Sequence, residues 1–121
     1  MITSQKHLLI GGIVAMGFDP TGRYLLVVTH SGRGVFSADS WERIARDKGL
    51  AYPENGMAMG IGPLDGVLIE VEERNEFKDE IKLVSPDGKW MLLGEPDGIT
   101  VTKTKEQAST PNPSLLSGPD V

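Results

Sequence analysis

The sequence predicts an all-β, antiparallel domain. Two stretches of turn followed by strand carry that reading, together with one run that is apolar throughout and one that alternates. The first stretch is Val84-Ser85-Pro86-Asp87-Gly88-Lys89-Trp90-Met91-Leu92-Leu93. Proline presets φ for a turn, Asp87 can bond its own backbone, and Gly88 accepts positive φ. An aromatic and three apolar residues then give a short strand. The second stretch, Phe18-Asp19-Pro20-Thr21-Gly22-Arg23-Tyr24-Leu25-Leu26-Val27, repeats the pattern. Residues 23–30 (RYLLVVTH) form an apolar run expected of a strand covered on both faces. In residues 67–73 (VLIEVEE), Leu68, Glu70 and Glu72 alternate with Ile69, Val71 and Glu73, as on a half-exposed strand.

The remaining elements follow in order. Met1 to Lys6 is polar and expected to fray. His7 to Phe18 is apolar around Gly11-Gly12, and predicts two strand pieces broken by a bulge or tight turn at the glycine pair. Ser31-Gly32-Arg33-Gly34 has the composition of a hairpin loop, with an answering strand from Val35. Trp41 to Lys48 fits either a short helix capped by Asp39 or Ser40, or a strand with Trp41 and Ile44 in the core. Pro53, Asn55 and Gly56 break the chain before a short strand at 57–61 and turns at 62–66. Strands are expected at 77–84, 89–94 and 99–103, separated by the 85–88 and 95–98 turns. The aromatic residues, Tyr52 and Phe77 among them, are expected in the core.

The two stretches lie 66 residues apart and align without gaps: Pro20 with Pro86, Gly22 with Gly88, Arg23 with Lys89, Tyr24 with Trp90, Gly32 with Gly98. Such internal similarity marks a structural repeat. The units, about 14–48 and 77–104, resemble strand pairs of WD40- or TolB-type β-propeller blades. In those blades an S-P-D-G-K/R-aromatic turn precedes the central strand, and Trp41-Glu42 sits where many have a W-E start to the outer strand. That resemblance favours strand at 41–48. A blade takes ~40 to 50 residues and closure at least four of them. So either two or more chains assemble as a homo-oligomer, or blade-like hairpins are reused in an open sheet or small sandwich. The 66-residue spacing exceeds one blade and favours the latter. The expected organisation is a single domain over residues 1–104 and a disordered tail over 105–121, where prolines and small polar residues dominate.

The chain has 121 residues and a formal net charge of −5, from 17 acidic and 12 basic residues. That balance argues against nucleic acid as partner, since phosphate recognition needs a basic face. Cysteine is absent, which excludes disulfides and thiolate metal sites. No apolar run is long enough for a membrane span, and the first residues lack a signal-peptide pattern, so the expectation is a cytoplasmic protein without membrane contact.

Groups for catalysis are scarce. His30 with Ser31 lacks a G-x-S-x-G elbow, and Gly32-Arg33-Gly34 and Gly60-Ile61-Gly62 lack the continuation of a phosphate loop. Carboxylates crowd residues 70–80, with Glu70 and Glu72 on one strand face, but not at calcium-loop spacing. They suit a basic protein partner, or a strand edge guarded against aggregation. The sequence thus points to a non-enzymatic protein-interaction module without catalytic, metal or cofactor sites, whose partner-binding candidates are Glu70, Glu72, Glu73, Arg33 and His30. Two alternatives stand beside it. One is a small acidic immunity- or inhibitor-type protein that neutralises a basic effector. The other is a ligand-binding protein or enzyme using His30 and Arg33.

Overall fold

The computed structural model describes residues 5–49, 52–74 and 80–104. Of the fraying expected over Met1 to Lys6, residues 1–4 lie outside them, as do Phe77 and the tail at 105–121; Gln5 and Lys6 do not fray but pair with Thr102 and Val101. The protein is all-β with antiparallel sheets. Its strands are β1 (Gln5–Leu9), β2 (Ile13–Phe18), β3 (Tyr24–Thr29), β4 (Gly32–Ser37), β5 (Arg43–Asp47), β6 (Met57–Met59), β7 (Leu68–Glu70), β8 (Glu72–Glu73), β9 (Ile81–Val84), β10 (Trp90–Glu95) and β11 (Gly98–Lys103), with one 3₁₀ turn at Gly62–Leu64. They form a four-stranded sheet in the order β1-β11-β10-β9, a five-stranded sheet β5-β4-β3-β2-β8, and the hairpin β6-β7.

These make three layers, with the five-stranded sheet in the middle. Leu25 and Val27 on one face of β3 pack with Leu8, Ile81, Leu92, Ile99 and Val101 of the four-stranded sheet. Leu26 and Val28 on the other face pack with Ala58, Ile61, Leu64 and Ile69 of the hairpin layer. All four β3 residues are fully or almost fully buried, as the continuous apolar run predicts. Each such Leu or Val stabilises the fold by roughly 1.5–3 kcal/mol relative to exposure. Glycine lets the sheets close: a Cβ on Gly94 would lie 2.8 Å from the Met16 terminal methyl.

The 66-residue repeat holds throughout two three-stranded meanders. Leu25 pairs with Phe36 on one side and Phe18 on the other; Met91 pairs with Thr102 and Val84. Tyr24 pairs with Ser37 and Trp90 with Lys103. A fourth strand extends each meander, β5 on β4 and the N-terminal β1 on β11.

The turns match atom by atom. Gly22 and Gly88, both at φ +76°, donate their N–H groups to the carbonyls of Asp19 and Ser85 at 2.9 Å. In the first turn Asp19 Oδ1 accepts from the Tyr24 N–H (2.9 Å), Asp19 Oδ2 accepts from the Thr21 hydroxyl (2.6 Å), and Thr21 Oγ1 accepts from the Arg23 N–H (3.2 Å). In the second, Ser85 Oγ accepts from the Trp90 N–H (3.0 Å), its hydroxyl donates to Asp87 Oδ1 (2.6 Å), and that oxygen accepts from the Lys89 N–H (3.0 Å). The bonds are equivalent, but carboxylate and hydroxyl have traded places. Asp19 and Ser85 are both buried, so the bonds they make form where water competes poorly.

Several expectations need correction. The two strand pieces break at Gly11-Gly12 as expected, but not by a bulge within one sheet: β1 and β2 belong to different sheets, and the glycines lie where the chain crosses between them. The β3–β4 turn is only His30-Ser31, and Gly32, Arg33 and Gly34 are strand residues. Residues 43–47 are strand, and Trp41 is buried against Phe18 and Trp90 with ring centroids 6.4 and 5.3 Å away, both edge to face. Its φ of +59° is a conformation that costs of order 1–3 kcal/mol in a side-chain-bearing residue. Ile44, expected in the core, is 46% exposed, because a register shift in the β4–β5 pairing turns it out. Tyr52, also expected inside, is 52% exposed.

Two outcomes test this account. Transplanting the second turn's chemistry into the first, as Asp19→Ser with Thr21→Asp, is expected to leave stability within about 0.5 kcal/mol in urea denaturation. Thr21→Asp alone, which sets two carboxylates against each other, is expected to cost about 1–3 kcal/mol. A double variant as damaged as the single one would show that the turns are not interchangeable. The second outcome concerns pH. Hydrogen bonds from the Ser85 hydroxyl and the Lys89 N–H hold the Asp87 carboxyl below its ordinary value of 3.8. A depressed value favours the folded state above 3.8, and the contribution is lost as pH falls through the folded value. The stability difference between wild type and Asp87→Asn is therefore expected to be largest above that range and to shrink in acid, as read by denaturation against pH.

Candidate functional site

The five candidate residues fall on three separate parts of the surface. His30 is exposed at the β3–β4 turn. Its backbone N–H donates to the Gly12 carbonyl at 3.1 Å, and its Nδ1 lies 3.1 Å from the Tyr52 hydroxyl. The two rings meet edge to face with centroids 6.0 Å apart. Tyr52 is thus held at the surface by a histidine partner that spacing could not reveal.

Arg33 lies on the opposite face of β4 from Gly34 and Phe36. Its Nη2 and Nε donate to the two oxygens of Asp47 at 2.7 and 3.3 Å, and its Nη1 donates to the Met59 carbonyl at 2.9 Å. The side chain is 14% exposed. This fork ties β4, β5 and the β6–β7 layer together. A bidentate, partly shielded pair of this kind is stronger than a surface ion pair.

Glu70, Glu72 and Glu73 are all exposed, but they do not share one strand. Glu70 ends β7 in the hairpin layer, where it pairs with Met57. Glu72 and Glu73 form β8 on the edge of the central sheet, opposite Met16 and Ala15. Val71 between them is buried and marks the crossing from one layer to the other. Glu76 and Asp79 of the acidic stretch lie outside the described residues. Among the described residues, no group of three His, Asp or Glu side chains is placed to hold a metal ion.

Two features escape the sequence reading. The first is the outer face of the four-stranded sheet. Register places Met91, Val84 and Thr102 in one row across it, and Leu93, Lys82 and Thr100 in the next. Val84 is 61% and Met91 46% exposed. Their partners in the first repeat, Phe18 and Leu25, pack in the core between the sheets. The second feature is a groove of about 230 Å³ between the end of β1 and strands β3 to β5, lined by Leu9, Ile10, Val27, Phe36, Arg43 and Arg46 among others. The helix-like spacing of the two arginines gives no hint that a strand would bring them together.

Comparison with protein-family models, curated proteins and solved structures found no match to this chain. Among the described residues no helix is long and apolar enough to cross a membrane.

The Arg33 fork has a measurable consequence. Arg33→Lys keeps the charge but loses the two-pronged geometry. It is expected to cost about 1 kcal/mol of stability. Hydrogen exchange should accelerate in β6 and β7 more than in β3, because Met59 loses its tether.

Proposed function

We propose that this chain is a non-enzymatic protein-interaction module built from two propeller-blade-like repeats, and that its partner is another protein seated on the outer face of β9 and β10. One observation carries the reading. The first repeat buries the face that contains Phe18, Leu25 and Val27 against the second repeat, whereas the corresponding face of the second repeat, with Val84, Met91 and Leu93, is open. The repeats therefore stack in one sense, and the last one ends with its stacking face outward. Apolar side chains on an open sheet face favour a partner that removes them from water. On the β11–β1 half of that face Thr100, Thr102, His7 and Gln5 are bonded across the strands, with Leu9 as the exposed apolar residue at its end, so the apolar contact area centres on β9 and β10. The WD40/TolB-like turn and the way β1 supplies a fourth strand beside β11 support the blade comparison. A cytoplasmic setting accords with the absence of cysteine.

A benzophenone amino acid in place of Met91 tests the assignment in cells of the native host. A defined adduct at position 91, absent when the same group replaces the exposed Leu68 of the hairpin layer, is the expected result. An adduct with a second copy would identify a homo-oligomer. No adduct at 91, or equal adducts at both positions, would overturn the reading.

A second reading, a small acidic protein that neutralises a basic effector, is favoured by the exposure of Glu70, Glu72 and Glu73 together with the net charge of −5. It requires binding that weakens at about 0.5 M salt, where exposed charges are screened. It also requires slower association in Glu70→Lys/Glu72→Lys/Glu73→Lys.

A further inference from the structure

We infer that the groove beside β5 is a binding site for a small oxyanion, a carboxylate or a phosphate, held by Arg43 and Arg46. The argument begins with strand geometry. On a regular strand, residues three apart point to opposite faces. In the β4–β5 ladder, Val35 pairs with Ala45 but Phe36 pairs with Arg43, so Ile44 is an extra residue in a bulge. The bulge inverts the phase. Arg43 beside Phe36 and Arg46 beside Gly34 then share the face turned toward the four-stranded sheet, the face on which Phe36 joins the core.

That arrangement runs against apolar burial. Without the bulge, Ile44 would stand opposite Phe36 on the core-facing side; with it, Ile44 is 46% exposed and an arginine occupies that side. A local departure of this kind, with an isoleucine exposed where alternation would bury it and two solvent-exposed arginines beside the groove, is characteristic of functional positions.

The surroundings fit an anion. Gly34 supplies no side chain, and the Arg43 stem lies across it: a Cβ there would stand 3.5 Å from Arg43 Cδ. Val27 and Phe36 provide an apolar floor, with Leu9 at the end of β1 and Ile10 just after it on the far side. Leu9 is 93% exposed. Among the described residues neither Arg43 nor Arg46 has an ion-pair partner. Asp47, which follows Arg46 and also lines the groove, is held by Arg33. With that carboxylate engaged, the guanidinium groups of Arg43 and Arg46, above an apolar floor, present planar forks suited to carboxylate or phosphate oxygens. The groove is smaller than the roughly 300–1,000 Å³ of sites for drug-sized ligands, so the occupant is small.

The test uses the full chain, labelled with ¹⁵N and titrated with inorganic phosphate and separately with citrate, against sodium chloride at matched ionic strength. The expected result is saturable shifts confined to Gly32, Gly34, Arg43, Ala45 and Arg46, weakened at least tenfold in R43Q/R46Q. Saturation by phosphate alone assigns a phosphate ligand, by citrate alone a carboxylate, and by both an unselective oxyanion site. Shifts that follow chloride at equal ionic strength, no saturation with either probe, or saturation that survives in R43Q/R46Q would overturn the proposal. Should the double variant lose its dispersed spectrum, R43Q and R46Q singly carry the same comparison.

Discussion

Everything in this fold depends on β3 being buried on both faces. Leu25 and Val27 need one apolar layer and Leu26 and Val28 another, so a single sheet could never satisfy the strand. The four-stranded sheet meets the first need and the β6–β7 layer with its 3₁₀ turn meets the second. The two layers differ in kind. One is a second copy of the meander, with matched registers. The other is a short hairpin whose Ala58, Leu64 and Ile69 reach the core while Met59 and Leu68 face outward. Arg33 ties that thin layer down, which apolar area alone would do weakly.

The repeat shows which features the backbone requires and which it tolerates. Both turns need a glycine at φ +76° and an acceptor for the N–H that opens the following strand. A carboxylate meets the second need in one turn and a hydroxyl in the other, because each has a partner two residues on that supplies the missing donor or acceptor. The side chains are free to exchange roles as long as every buried polar group remains bonded. Where the repeats diverge, the divergence follows burial. Positions that are Met16, Phe18 and Phe36 in the first unit are Lys82, Val84 and Thr102 in the second, whose equivalent face is open.

At the bulge of Ile44 the chain sets local patterning aside. It exposes an isoleucine and gathers two arginines on a face that is otherwise apolar. Trp41, three residues earlier, shows the same region accepting backbone strain, with φ at +59° while its ring completes a cluster with Phe18 and Trp90.

By itself the sequence determined the all-β class, the position of most strands, both repeat turns and the double burial of β3. It also determined the alternation that exposes Glu70 and Glu72 and buries Ile69 and Val71. These are local properties: proline and glycine set turn dihedrals, and an apolar period of one or two residues states how many faces must be covered. The tertiary structure decided which sheet each strand joined. Gly11-Gly12 and Val71 carry the chain from layer to layer, and nothing in their neighbours distinguishes a crossing from a bulge, because the partner strand lies up to 97 residues away, as for Gln5 and Thr102. It also decided the phase of β5. Whether Arg43 and Arg46 share a face depends on one extra residue in the ladder with β4, and that is settled by how Phe36, Val35 and Ala45 pack, not by the spacing of the arginines.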